Sequence, residues 1–254
     1  MDKNKKNMYK LGLLGKNISY SFSRNYFKNK FEKENITGVS YENFDIENID
    51  LFPKIINNTE GIKGLNVTIP YKEDVIPYLD KLNKKAKAIG AVNTIKVTKK
   101  GKLVGYNTDC YGFIKSLKPF LKKHHKKALI LGTGGASKAV LYTLKKRGII
   151  CHYVSRNARK HVEYTYDDLN DKIISEYQII INCSPVGTFP DVESCPKILY
   201  ESITKKHILF DLIYNPEETK FLRLGKQKGA TVINGLNMLK LQAEKAWSIW
   251  NLNK

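Results

Sequence analysis

The stretch Lys126–Asn157, KKALILGTGGASKAVLYTLKKRGIICHYVSRN, decides how the rest of the chain is read. Ala128–Leu131 is a short apolar run of the kind that forms a fully buried strand. Gly132, Thr133, Gly134 and Gly135 follow it, and then Ala136, Ala139, Val140, Thr143 and Leu144 recur at helical spacing until Gly148 ends the helix. Ile149–Val154 reads as the next strand. A dinucleotide fold places glycines at such a strand-to-helix turn for three reasons: a tight bend, close approach of backbone to pyrophosphate, and close helix–strand packing. Gly132 and Gly134 suit the first two, whereas the third position holds Ser137, which is small but not glycine. The helix start offers N–H groups and a positive dipole end to a phosphate. A tight turn with no ligand is the plainer alternative.

The end of the second strand narrows the ligand. An NAD site usually carries an acid there to accept hydrogen bonds from the ribose 2′-OH. Here the residues are Ser155, Arg156, Asn157, Ala158, Arg159 and Lys160, with no acid before Glu163. A carboxylate would repel a 2′-phosphate, whereas a guanidinium clamps it and stacks on adenine. The expectation is NADP, with Arg156 as its 2′-phosphate ligand.

Composition limits the rest. The 254 residues suffice for one large domain or two ordinary ones. No apolar run approaches the roughly 20 residues of a membrane span, and the N-terminus lacks a signal-peptide core, so a cytoplasmic protein without membrane partners is expected. Four cysteines (Cys110, Cys151, Cys183, Cys195) form no C-x-x-C pair, and the histidines show no ligand spacing, so no metal site is expected. A net charge of +20 invites nucleic acid, but only five of the 44 basic residues are arginine. The lysine runs fall between apolar segments, where a solvated surface is the simpler reading, and no nucleic-acid partner is expected.

Along the chain, YKLGLLG, SYENFDI and LNVTI read as strands and SRNYFKNKFEKEN as an amphipathic helix. Lys72 lies just past Pro70, where a helix can start. Val92–Thr98 and Leu103–Asn107 form a hairpin turned by KKGK. CYGFIKSLKPFLKK is helical in period, limited by Pro119. After the glycine turn, YQIIIN, HILFDLI and ATVIN are further strands, and GLNMLKLQAEKAWSIW is a helix. In that helix Leu236, Leu239, Ala243, Ala246 and Trp250 share a stripe, with the amide of Gln242 beside it. Strands alternating with helices predict an α/β protein with a covered parallel sheet. The expected division is 1–108 and 109–236, with the helix 237–254 returning to the first domain.

The first domain carries polar residues in apolar settings: Ser21 and Ser23 in YSFS, Asn66, Thr68 and Lys72 in NVTIPYK, Asn93 in GAVNT, and Asp109 after GYNT. Taken singly, each has an ordinary explanation in helix capping, solvation or turn formation. Taken in order, YSFS, NVTIPYK, GAVNT, GYNTD, GTGGAS, SRN, INCSPVGT, DLIYNPEET and INGLNMLKLQA resemble the motifs of the shikimate dehydrogenase family across nearly the whole chain.

That resemblance implies an N-terminal α/β substrate domain, a Rossmann-like doubly wound NADP-binding domain and a cleft between them. It implies NADPH-dependent reduction of 3-dehydroshikimate to shikimate, in the biosynthesis of aromatic amino acids. The family's lysine–aspartate pair falls on Lys72 and Asp109. Its substrate residues fall on Ser21, Ser23, Thr68, Asn93, Tyr214 and Gln242, together with Lys72 and Asp109. Its cofactor residues fall on Gly132, Gly134, Gly135, Ala136, Ser155, Arg156, Lys160 and Gly235. Tyr20 and Arg24 stand where the family has His and Pro, Cys110 where it has Gly, and Thr188 where it has Met. Two alternatives stay open: a broader quinate/shikimate dehydrogenase, and a non-catalytic relative that binds a nucleotide or nucleic acid. Monomer and homodimer are both compatible with the sequence.

Overall fold

The computed structural model describes residues 8–19, 21–158 and 160–251, so Tyr20, Arg159 and the end of the expected last helix lie outside the described residues. The chain divides into two compact units: Asp109–Gln242, and the residues up to Thr108 together with those from Ala243.

In the first unit the order is β1 (Tyr9–Gly15), α1 (Phe22–Lys33), β2 (Val39–Asp45), α2 (Phe52–Asn58), β3 (Ile62–Val67), β4 (Lys81–Leu82), α3 (Lys84–Ile89), β5 (Thr94–Val97) and β6 (Leu103–Tyr106). They form one sheet in the order β2-β1-β3-β5-β6-β4. β1 runs parallel to β2 and β3, and β5 is antiparallel to β3 and β6. The two-residue period of a strand explains why β1 is apolar on both faces. Leu11 and Leu13 pack on one side with Phe27, Tyr41, Ala246 and Trp250, while Leu14 packs on the other with Phe52, Leu65, Val67 and Ile95. Gly64 makes room for Trp250, whose indole N–H donates to Ile95 O at 2.9 Å.

In the second unit the order is α4 (Asp109–Leu117), β7 (Lys127–Leu131), α5 (Gly135–Lys145), β8 (Ile150–Ser155), β9 (Tyr164–Thr165), α6 (Asp171–Glu176), β10 (Ile179–Asn182), β11 (Ile208–Asp211), α7 (Lys220–Gln227), β12 (Thr231–Ile233) and α8 (Leu236–Trp250). α8 starts in this unit and ends in the other. The sheet order is β12-β11-β10-β7-β8-β9, and every pair is parallel. Counted within the unit and read from β9, that is 3-2-1-4-5-6, the order of a doubly wound dinucleotide fold, with its switch point between β7 and β10. Apolar clusters line both faces, one around Phe113, Ile130, Val140 and Phe210 and one around Leu129, Val154, Leu209 and Phe221.

The differences from the sequence-based expectations are local. α2, α3, α6, α7 and the two-residue β4 and β9 are additional elements. Lys72 does not begin a helix: residues 69–75 form successive turns before a 3₁₀ turn at Ile76–Tyr78. The Lys72 carbonyl accepts from Val92 N at 2.7 Å, and the buried Tyr71 donates its hydroxyl to Ile46 O at 2.7 Å. These long-range bonds anchor the segment as an irregular loop.

Candidate functional site

Register places the polar residues of the first unit along one edge of its sheet. β1 and β3 are parallel, so the loop to Ser21 and the residues Thr68 and Lys72 leave from the same end. β5 is antiparallel to β3, which puts Asn93 at that end, and β6 brings Thr108 back to it. Ser21 caps α1, accepting from Arg24 N at 3.3 Å, and Ser23 is buried in the first turn. The two serines therefore straddle a helix start and do not lie on one side of an extended chain. Asp45 fixes the approach to them, its carboxylate accepting from Asn17 N at 2.8 Å and Ile18 N at 3.0 Å.

Asn93 is the centre of a buried network and is only 3% exposed. Its Oδ1 accepts from Thr108 N at 2.7 Å and Thr94 Oγ1 at 3.1 Å, and its Nδ2 donates to Thr108 Oγ1 at 3.0 Å. Asn66 extends the network, donating to Asn93 O and Thr94 Oγ1 at 3.2 Å each and accepting from the Tyr41 hydroxyl at 2.9 Å. Thr68 N donates to Leu14 O at 2.9 Å, and the Thr68 methyl occupies the space that a side chain at Gly15 would need. Lys72 is half-buried in the loop beside this edge.

Asp109 opens α4 and is buried. Three residues on, a Cβ at Gly112 would overlap the Met238 carbonyl and come within 3.2 Å of Gln242 N and Cβ. One turn further, Asn237 donates to Ser116 Oγ at 3.2 Å. Residues three and four apart share a helix face, so Asp109 and Gln242, itself 7% exposed, sit on the contacting faces of α4 and α8.

In the second unit every strand is parallel, so the glycine turn, Ser155-Arg156, Tyr214 and Gly235 all follow C-terminal strand ends, the edge where open α/β sheets bind ligands. Gly132 has φ 99°, a left-handed value that favours glycine, and donates to Val154 O at 2.9 Å. Gly134 is the N-cap of α5, no side chain caps that helix, and a Cβ added there would meet nothing within 4 Å. Protein packing thus gives no reason for a glycine at 134, whereas a phosphate lying against the helix start does. Gly135 and Ala136 form the first turn. Ser137, at the motif's third position, is fully buried and donates its hydroxyl to Gly134 O at 2.6 Å, which lets a serine replace the packing glycine.

Ser155 ends β8, and Arg156 and Lys160 beyond it are exposed. Tyr166 lies near Arg156: burial pushes its phenol up to about 12, and the guanidinium pulls the other way. Tyr214 is 36% exposed in the loop after β11. Gly235 donates to Ile213 O at 2.9 Å, and a side chain there would overlap the Leu212 carbonyl. These residues fit a dinucleotide phosphorylated on the adenosine ribose. Asp211, Asn182 and Thr219 form a buried polar cluster at the same edge that motif reading passed over. The signal for it was present: Asp211 interrupts the apolar run ILFDLI. Among the described residues no helix is long and apolar enough to cross a membrane, and no group of three His, Cys, Asp or Glu could hold a metal ion.

A 3-2-1-4-5-6 parallel sheet with an uncapped glycine turn and a basic second-strand end defines the class, an NADP-dependent α/β oxidoreductase. Residues 13–95 match the family model for the shikimate dehydrogenase substrate binding domain. A shikimate dehydrogenase (NADP(+)) of Clostridium botulinum (strain Loch Maree / Type A3) is 41% identical over 257 residues, covering 97% of this chain and 98% of the relative. A crystal structure of shikimate dehydrogenase 1 from Peptoclostridium difficile superposes with a TM-score of 0.81 at 39% identity, covering 97% of this chain and 93% of that one. The shikimate 5-dehydrogenase of Thermus thermophilus, solved in complex with NADP(H) and shikimate, gives 0.84 at 29% identity, covering 96% and 94%. The chain belongs to the shikimate dehydrogenase family.

Proposed function

We propose that the chain is a cytoplasmic enzyme that interconverts 3-dehydroshikimate and shikimate with NADP(H), a step in the biosynthesis of aromatic amino acids. The observation that carries this reading is that Ser21, Ser23, Thr68, Lys72 and Asn93 all fall inside the segment matched by the substrate-domain model and emerge at one sheet edge. When bound, NADPH supplies the hydride for the C3 carbonyl carbon. Lys72, with Asp109, acts as the acid–base pair, giving a proton to the C3 oxygen in reduction and taking it back in oxidation. Ser21 and Ser23 bind the substrate carboxylate. Ser21 Oγ accepts from Arg24 N, which leaves its own O–H to donate. Thr68, Asn93, Asp109 and Gln242 bond the ring hydroxyls, and Tyr214 adds a substrate contact. Gly132, Gly134, Gly135 and Ala136 hold the pyrophosphate. Arg156, Ser155 and Lys160 hold the 2′-phosphate, and Gly235 borders the nicotinamide end. In this reading residues 1–108 with the helix 237–254 form the substrate domain and 109–236 the NADP domain, and the partners are small molecules.

The test is formation of reduced nicotinamide, followed by absorbance, with shikimate and NADP, then with quinate in place of shikimate and NAD in place of NADP. Turnover with shikimate and NADP far above the other pairs is expected. Equal use of quinate or NAD would replace the reading with the broader dehydrogenase, and no turnover with any pair would replace it with a non-catalytic relative.

A further inference from the structure

Asp211 ends β11 with no exposed surface, and the acid–base chemistry proposed above makes no use of it. Its Oδ1 accepts from Asn182 Nδ2 at 3.1 Å and from Ile213 N at 3.0 Å, and its Oδ2 accepts from Thr219 Oγ1 at 2.6 Å. Each partner is itself tied into a loop. The other side of the Asn182 amide accepts from Ser184 N at 3.0 Å and Ser184 Oγ at 2.6 Å, and its Nδ2 also reaches Val186 O at 3.3 Å. Thr219 caps α7, accepting from Leu222 N at 3.4 Å. The outer ends of the two loops meet as well, with Phe189 N donating to Asn215 O at 3.3 Å and Thr188 Oγ1 to the same carbonyl at 3.4 Å.

One carboxylate thus joins residues 183–189, after the fourth strand of the parallel sheet, to residues 212–219, after the fifth. The first of these segments lies against the glycine turn, since a Cβ at Gly132 would stand 3.2 Å from Ser184 N. A dinucleotide crosses a doubly wound sheet at this switch point, with its adenosine half over strands one to three and its nicotinamide half over strands four to six. Burying a carboxylate is costly, and three donors offset that cost with charge-assisted bonds stronger than neutral ones. Burial pushes the Asp211 carboxyl up to about 6, against the pull of its donors.

We propose that Asp211 is a positioning residue for the nicotinamide half of the cofactor, holding 183–189 and 212–219 as one preformed surface beside Gly132. The inference rests on the NADPH reading above. It is tested by titrating NADPH, and separately 2′,5′-ADP as the adenosine half alone, into Asp211→Asn, Thr219→Val and Thr219→Ser. Asp211→Asn and Thr219→Val each lose a charge-assisted bond and are expected to weaken NADPH about tenfold. Affinity for 2′,5′-ADP is expected to stay at the wild-type level in both, and Thr219→Ser, which keeps the hydroxyl, to bind NADPH like wild type. If Asp211→Asn fails to fold, Thr219→Val carries the test with the carboxylate intact. Unchanged NADPH affinity, equal weakening of both ligands, or a Thr219→Ser as poor as Thr219→Val would each overturn the inference. A wild-type protein that does not hold 2′,5′-ADP would break the Arg156 assignment instead, and the Thr219 pair would then decide this inference on NADPH alone.

Discussion

The two units hold their strand-end loops with buried polar nodes of different chemistry. In the first, the Asn93 amide binds Thr108 and Thr94, and the Asn66 amide carries the network on to Tyr41. In the second, the Asp211 carboxylate gathers an amide, a backbone N–H and a hydroxyl. Both solve one problem: a loop leaving a sheet has no ladder partner, and its buried polar groups must find side chains. An amide avoids the cost of a buried charge and does not itself titrate. The charged node gains stronger bonds at the expense of desolvation and carries a titration with it.

The largest expected effect separates chemistry from scaffold in the first unit. Lys72→Ala removes the proposed proton donor, so kcat should fall at least about 100-fold while NADPH affinity holds. Near-normal turnover in that variant would remove Lys72 from the acid–base role.

The difference between the nodes is most exposed by pH. The Asp211 carboxyl is raised above its ordinary 3.8 to about 6 in the folded protein. The fold therefore binds this proton more tightly than the unfolded chain does. The stability it contributes is complete below 3.8 and is lost as pH rises through about 6. Cys183 and Tyr200, the titratable groups that face Asp211, are both pushed up by burial and stay neutral across this window. Asp211→Asn cannot titrate, so its stability relative to wild type should climb by about 2 kcal/mol from about pH 4 to about pH 7. Chemical denaturation at the two pH values measures it, and a flat difference would mean that Asp211 keeps one charge state throughout.

Asn93→Ala should behave in the opposite manner. It removes several buried bonds and should cost about 2 kcal/mol at either pH, because the amide it removes carries no charge to titrate. A cost that changes with pH would break the contrast.

The smallest expected effect lies at the second strand's end. Arg156→Ala should weaken NADPH about tenfold and change NADH little, as read by KM for each cofactor. Equal losses for both would deny Arg156 the 2′-phosphate.

Much of this was legible in the sequence because it is local. The glycine turn, the basic residue after the second strand, the β5–β6 hairpin and α8 are each written in consecutive residues whose period or conformational needs declare them. α2, α3, α6, α7, β4 and β9 escaped because they are short, and the two-residue β4 and β9 exist only through their pairing with β6 and β8. Lys72 escaped because Pro70 suggested a helix start, whereas Val92 N claims the Lys72 carbonyl from 20 residues away.

By itself, the sequence determined the family, the class of cofactor and the identity of the polar residues, since these depend on motifs of a few residues each. Only the tertiary structure decided what those residues are bonded to. Ser21 became a helix cap, Ser137 a buried replacement for a glycine, and Asp211 the tie between two loops. The physical reason is separation along the chain. Asn182 and Asp211 are 29 positions apart, and a hydrogen bond across that distance exists only after β10 and β11 have paired and closed water out.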